Sequence, residues 1–555
     1  MLYARCTMHL RSNGRNGVLS ALSFYTATVA AAVSAVAHAG TWKQVAADAP
    51  VPNAGVALLL SDGSVMVLGD AVDGDGIGDI WHKLTPNAQG SYVNGTWSSI
   101  AAMPHSREYF SSQVLMDGRV YVAGGEYGTG KANAEIYDPV GNGWTQAADP
   151  GGTLSDANSE ILPDGRVLQA LVTGNLRKVR IYDPLSNSFS NAPDSLGIHN
   201  ESVWVKLADD SILFVDRGAT SAERYVPALG IWLAAGTTPV PLYDPFGLET
   251  GGALRLPDGR AFFIGSPNTT AYYQPGAGAA PILWTAGPTP PDGSGAPDAP
   301  MAMNVDGTIL CALSPAPTAS NHFPTPTTFY SFDYLTNTFT AIPAPGGGAS
   351  IDAPAYVFCF LVLPDGSVLC TQQGSPTYYV YVPDGAPLAA GKPVVNGAVK
   401  LDATTYQLNG TGFNGISEGA SYGDDWQMNS NYPIVRLTSA KGTQVRYARS
   451  FSWNRTGVAT GSLPTTTKMK LPANLAAGTY SLSVVANGIA SNPIPFVVTA
   501  TPCPSDLNAD GTVDGADLAI LLGQWGLGAP GDIDGDGVVD GADLGSLLGA
   551  WGVCQ

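Results

Sequence analysis

Two stretches near the C-terminus carry oxygen-bearing residues wherever a calcium ion would need them. They read DLNADGTVDGADLAILLGQWG and DIDGDGVVDGADLGSLLGAWG, one copy 26 residues after the other. In the first, Asp506, Asn508, Asp510, Asp514 and Asp517 fall at positions 1, 3, 5, 9 and 12 of a twelve-residue loop. Thr512 adds its backbone carbonyl. In the second the same places hold Asp532, Asp534, Asp536, Asp540 and Asp543, with Val538 adding its carbonyl. Gly511 and Gly537 stand at the sixth position, where the loop turns sharply. Calcium is a hard cation that takes about six to eight oxygens, so two calcium ions are expected. Residues 503–555 hold nine aspartates and no lysine or arginine. Behind each loop, Leu518, Leu521, Leu522 and Trp525, then Leu544, Leu547, Leu548 and Trp551, recur at the spacing of an amphipathic helix.

A second set of chemistry-bearing residues emerges by counting back from a repeat. Seven copies of one hairpin run as an apolar stretch, an acidic turn and a second apolar stretch. Their turn aspartates are Asp62, Asp117, Asp164, Asp209, Asp258, Asp306 and Asp365, at spacings of 55, 47, 45, 49, 48 and 59. Asp-Gly at these turns suits a two-residue hairpin in which both central residues take positive φ. A repeat of about 40–50 residues with such a hairpin is a β-propeller blade. His105, Arg107, Tyr109, Asp156, Asn158, His199, Glu201, Glu249, Asp298, Asp352 and Tyr356 all precede a turn aspartate by 6–13 residues. Innermost strands present these positions near one mouth of the central channel. Tyr and Arg there can stack on a sugar while carboxylates bond its hydroxyls. Glu201 and Glu249 are the candidates for general acid/base work on a glycosidic bond.

The elements around these residues are strands. Third strands end in an aromatic-x-Pro step or a similar one, such as IYDP at 136–139 and at 181–184. Fourth strands carry Trp97, Trp144, Phe189, Trp232, Trp284 and Phe339. These are six fourth strands for seven hairpins, so the segment from Thr41 to Val45 is expected to complete the seventh blade and close the ring. The propeller is placed at 40–384. Residues 396–499 alternate as short strands and form an immunoglobulin-like β-sandwich. The small α-helical calcium segment is 503–555. The fold class is therefore mainly β.

Residues 1–39 have the layout of an export signal. Arg5, Arg11 and Arg15 precede an apolar stretch, and Ala37-His38-Ala39 offers a cleavage site. Cleavage removes three arginines and lowers the net charge from −19 to −22. That acidity excludes nucleic acid and anionic membrane as partners. No later stretch is apolar enough to span a bilayer, and a secreted or cell-surface location follows. Of the six cysteines, Cys503 and Cys554 are the disulfide candidates. Cys311 and Cys370 read as small buried residues, and Cys359 could pair with either.

The loop–helix duplication resembles a dockerin module, which implies a cohesin-type protein partner. The blades and following sandwich are similar to galactose oxidase and its relatives across residues 40–499. That resemblance is carried by SREYFSSQVLMDGRVYVAGG, YVFCFLVLPDGSVL and GTYSLSVVANGIASNP. It implies an axial copper held by two tyrosines and two histidines, one tyrosine being cross-linked to a cysteine. The tyrosine positions fall on Tyr109 and Tyr356. The cysteine position is Val56, one histidine position is Val357, and no histidine follows His322. Copper is therefore not expected. The reading that results is a secreted, calcium-binding, non-catalytic protein that recognises polysaccharide or glycoprotein. A polysaccharide-active enzyme and a structural or adhesive surface protein are the alternatives.

Overall fold

The computed structural model describes residues 40–555, apart from 71–75, 156–157, 173–174, 277–281, 424–425, 474, 500–502, 529 and 555. The export segment lies outside the described residues. Seven four-stranded antiparallel units follow one another from Asn53 to Val382. They form a seven-bladed β-propeller. Inner strands run Asn53–Leu59, Ser111–Val114, Ser159–Ile161, Val205–Lys206, Ala253–Arg255, Pro300–Met303 and Phe358–Val362, for blades 1 to 7. The outermost strand of blade 7 is Thr41–Gln44, which pairs with Tyr379–Val382 and sets Trp42 opposite Tyr381. Chain start and ring end are thus stitched together by backbone hydrogen bonds.

The acidic turns differ from the expected two-residue form. In blade 1 the Gly63 amide donates to the Leu60 carbonyl, and the Leu60 amide donates to that of Ser64. The loop is one residue longer, and only its glycine is left-handed: φ is 76° at Gly63, 87° at Gly118 and 91° at Gly366. The aspartate acts as an acceptor instead. Asp62 Oδ1 takes the Ser64 amide at 3.0 Å and Asp117 Oδ1 takes that of Arg119 at 3.0 Å. Blade 4 reads Asp209-Asp210, and Asp210 occupies the glycine place at φ 62°. Aspartate is among the few residues that tolerate this region.

Residues 394–498 form two sheets joined at the strand Val445–Phe451, and both close over one core containing Leu408, Leu437, Met469 and Leu482. This domain packs on the turn face of the ring. Tyr447 lies against Gly63, and the Ser450 amide bonds the Ser61 carbonyl. From it residues 416–423 and 426–432 enter the propeller. Ala420–Tyr422 pairs with the inner strand of blade 6. Gln427 accepts from the Ser112 amide of blade 2, Glu418 from the Lys206 amide of blade 4, and Ser421 from the Ala253 amide of blade 5. Tyr432 donates to the Leu59 carbonyl of blade 1. A segment touching the inner strands of so many blades lies on their common axis.

The tail is a duplicated loop–helix unit with helices α1 (Gly515–Gly523) and α2 (Gly541–Gly549). A disulfide joins Cys503 to Cys554 across 51 residues of chain. Closing a loop of that length stabilises the fold by about 4 kcal/mol in the chain-entropy picture. Cys311, Cys359 and Cys370 are free buried thiols. Leu521 and Leu547 are buried as the helical spacing requires. Leu522, Trp525, Leu548 and Trp551, expected on the same apolar faces, are instead 51, 48, 53 and 51 % exposed. Helices of nine residues around so small a core cannot cover a full apolar stripe.

Candidate functional site

At the mouth opposite the turn face, the chain enters the inner strands through loops, a short strand at Arg107–Glu108 and a 3-10 turn at Ala355–Val357. Three residues there share an unusual backbone. Tyr109, Glu201 and Asp298, at the entries to blades 2, 4 and 6, have φ of 46°, 58° and 46°. Left-handed bulky or charged residues cost energy and persist where the surroundings over-determine them, which is commonest at functional sites. Tyr109 stacks on Trp426 of the axial segment, ring centroids 5.4 Å apart, and Trp426 in turn packs on Tyr422 at 4.4 Å. Gly55 makes room for the indole: a Cβ there would come within 1.9 Å of the Trp426 ring. The Tyr109 hydroxyl meets the Gln373 side chain at 3.2–3.3 Å, and the Gln373 amide donates to Glu108 at 3.4 Å. Tyr356 packs edge-on against Phe323 at 4.8 Å. Burial, and then the nearby charges of Glu108 and Asp298, push its phenol pKa up.

Other rim positions have different fates. Glu201 pairs with Arg217 at 3.2 Å, and its carbonyl accepts from the Thr250 hydroxyl. Glu249 and His322 each lie against Gly247, and Asp352 accepts from Thr325 at 2.9 Å. Arg107 leaves the rim altogether. It is fully buried, bonded to Glu135 at 2.7 Å and to the carbonyls of Gly124, Gly130 and Asn133, so it pins the loops of blade 2 rather than meeting a ligand. His105 joins the same Glu135 at 2.6 Å. His199 is also withdrawn, enclosed by Trp204 and Phe214, with burial lowering its pKa to about 4. Asn158 is buried beneath Ser202. Asp156 lies outside the described residues.

Counting from the turns overlooked Glu108, Gln373, Trp426 and His322. Glu108 lies inside a quoted motif, one residue before Tyr109, and Gln373 follows the second strand of blade 7. Trp426 comes from the following domain, and nothing in the repeat points to it. The axial copper that the resemblance implies would draw on imidazole nitrogens, donors that suit copper. Here Val56 is buried in the inner strand of blade 1 and Val357 follows Tyr356. The donors around Tyr109 and Tyr356 are phenols, carboxylates and an amide. This set does not fit a copper centre.

In the tail, Asp532, Asp534 and Asp536 bring carboxylate oxygens within 4.8 Å of one another. The Asp536 amide lowers the Asp534 pKa, yet desolvation and the charges of Asp536, Asp543 and Asp532 outweigh it and raise the group. Such mutual repulsion is what a bound cation relieves. Asp517 and Asp543 are buried and already occupied. Asp517 Oδ1 takes the Leu507 amide at 2.7 Å and Oδ2 takes that of Asp514 at 2.9 Å. The Asp514 amide, then those of Asn508 and Leu507, pull its pKa down. Each of the pair also completes a capping box, with Asp514 or Asp540 as the N-cap.

Residues 113–151 match the Kelch motif. They cover blade 2 from its inner strand onward. The curated spermatocyte protein spe-26 of Caenorhabditis elegans is 31% identical over 108 residues, 18% of this chain. The match spans only 19% of that protein's length. Among solved structures, a copper-bound fungal alcohol oxidase of the AA5 family aligns over 83% of this chain and 100% of its own. Its TM-score is 0.50 at 14% identity. The likeness is one of fold. A streptogramin B lyase aligns over 62% of this chain and 98% of its own, at 12% identity and TM-score 0.43, too loosely to argue from.

Proposed function

We propose that the protein is an exported, calcium-binding, non-catalytic recognition protein whose propeller mouth takes a polysaccharide or glycoprotein glycan. The observation that carries this reading is the convergence of Tyr109, Tyr356, Glu108 and Asp298 at one mouth, two of them on left-handed backbone. Phenol faces offer stacking area at low entropic cost, and carboxylates accept from sugar hydroxyls. The second domain is read as immunoglobulin-like, and it fixes the axial segment that floors the mouth. The duplicated tail is read as dockerin-like: two calcium ions set its loops, and it plugs into a cohesin-type partner. A glycan-binding screen on the full chain tests the mouth. Binding is expected, and Tyr109→Ala should weaken it roughly tenfold by removing one stacked face. Equal binding by the variant, or no binding by either protein, overturns the reading.

A further inference from the structure

Below the mouth, where the axial segment passes blades 3 and 4, three ionisable side chains meet out of contact with solvent. Glu160 belongs to the inner strand of blade 3, Lys206 to that of blade 4 and Glu418 to the axial segment. The Lys206 ammonium bonds Glu160 Oε1 at 2.7 Å and the Thr456 carbonyl at 3.2 Å. Glu160 Oε1 also takes the Ile161 amide at 2.8 Å. Glu418 Oε2 takes the Lys206 backbone amide at 3.0 Å, but among the described residues Oε1 finds no donor, although its side chain lies in hydrogen-bonding contact with Glu160. Glu160 and Glu418 both line a cavity of about 20 Å³, together with Trp426 and Gln427.

Two facing carboxylates are acceptors only, and one lysine can neutralise only one of them. An unpartnered buried carboxylate takes up a proton rather than remain charged. We infer that Glu418 and Glu160 share a proton, and that this proton latches the axial segment into the ring. Among the described residues, Glu160 and Lys206 are the charged groups that act on Glu418. Burial, then the Glu160 charge, raises the Glu418 pKa well above the carboxylate range. The folded protein therefore holds a proton that the unfolded chain gives up. The stabilisation is complete below the ordinary carboxyl pKa and is lost as pH rises through the raised one. Glu418 is followed by the strand Ala420–Tyr422 and then Trp426, so loosening it removes the floor of the mouth. The latch stands independently of what the mouth binds.

Hydrogen exchange of peptides within 417–432, corrected for intrinsic rates, tests it across neutral and alkaline pH. In the wild type, protection should fall by up to about tenfold per pH unit until the shared proton is gone. Glu418→Gln keeps the shape and donates an amide to Glu160, so its corrected protection should stay flat. The same slope in both proteins, or no slope in the wild type, overturns the latch. If Glu418→Gln does not fold, infrared titration of the wild type decides. A protonated-carboxyl band persisting above the range where ordinary carboxyls ionise supports the latch, and its absence defeats it.

Discussion

The propeller axis and the tail are both rich in carboxylates, and they neutralise them in opposite ways. On the axis and in blade 2 three buried acids have an internal answer: Arg107 for Glu135, Lys206 for Glu160 and, through the latch, a proton for Glu418. The tail has no lysine or arginine, and its loop acids lean on backbone amides and on one another. A buried pair is self-contained but brittle, because removing one partner strands the other. An exposed acidic loop is tolerant, but no lysine or arginine of the tail offsets its charge.

Breaking the internal pairing should have the largest effect. Glu135→Ala leaves the Arg107 guanidinium buried and uncompensated, and should cost about 3–5 kcal/mol in urea unfolding. Replacing both members by apolar residues of similar size should recover most of that loss. If the single variant is as stable as the wild type, the contrast fails on the propeller side. Removing the external cation comes next. With calcium at a hundredfold excess over its dissociation constant, chelation should cost the tail about 2.7 kcal/mol. Hydrogen exchange should accelerate in residues 503–554 while the blades keep their protection. Unchanged exchange there would show that amides alone suffice. The smallest effect is expected at a turn. Asp210→Gly relieves the left-handed aspartate of blade 4 and should gain up to about 1 kcal/mol in thermal unfolding.

The ring was legible because its signal is local and repeated. Each acidic turn, third-strand proline step and fourth-strand aromatic depends on neighbours within one blade, and seven copies average out exceptions. Even the closing role of Thr41–Gln44 followed from an unequal count of strands. The turn geometry was misjudged because Asp-Gly serves two loop lengths, and only the amide accepted by the aspartate tells them apart. The mouth was legible only in part. Tyr109 and Tyr356 lie where counting placed them, but Arg107 and His199 had turned inward. A rim position defined by spacing says nothing of which way a side chain points. Trp426 and Glu418 were invisible because they arrive from a different domain, at sequence separations of about 300 residues from Tyr109 and 260 from Glu160. In the tail, the period identified both helices but overstated how much of each could be covered.

The strand that begins the described chain has a consequence for the order of events during synthesis. Thr41–Gln44 leaves the ribosome before any blade exists, yet its partner Tyr379–Val382 follows some 340 residues later, the Gly40 amide and the Tyr381 hydroxyl being 341 positions apart. Local hairpins can form as they emerge, whereas contacts of such long sequence separation are slow. For most of its production the chain is an open arc with its first strand waiting. The ring can shut only after Tyr379–Val382 has emerged, which makes closure a late event of synthesis.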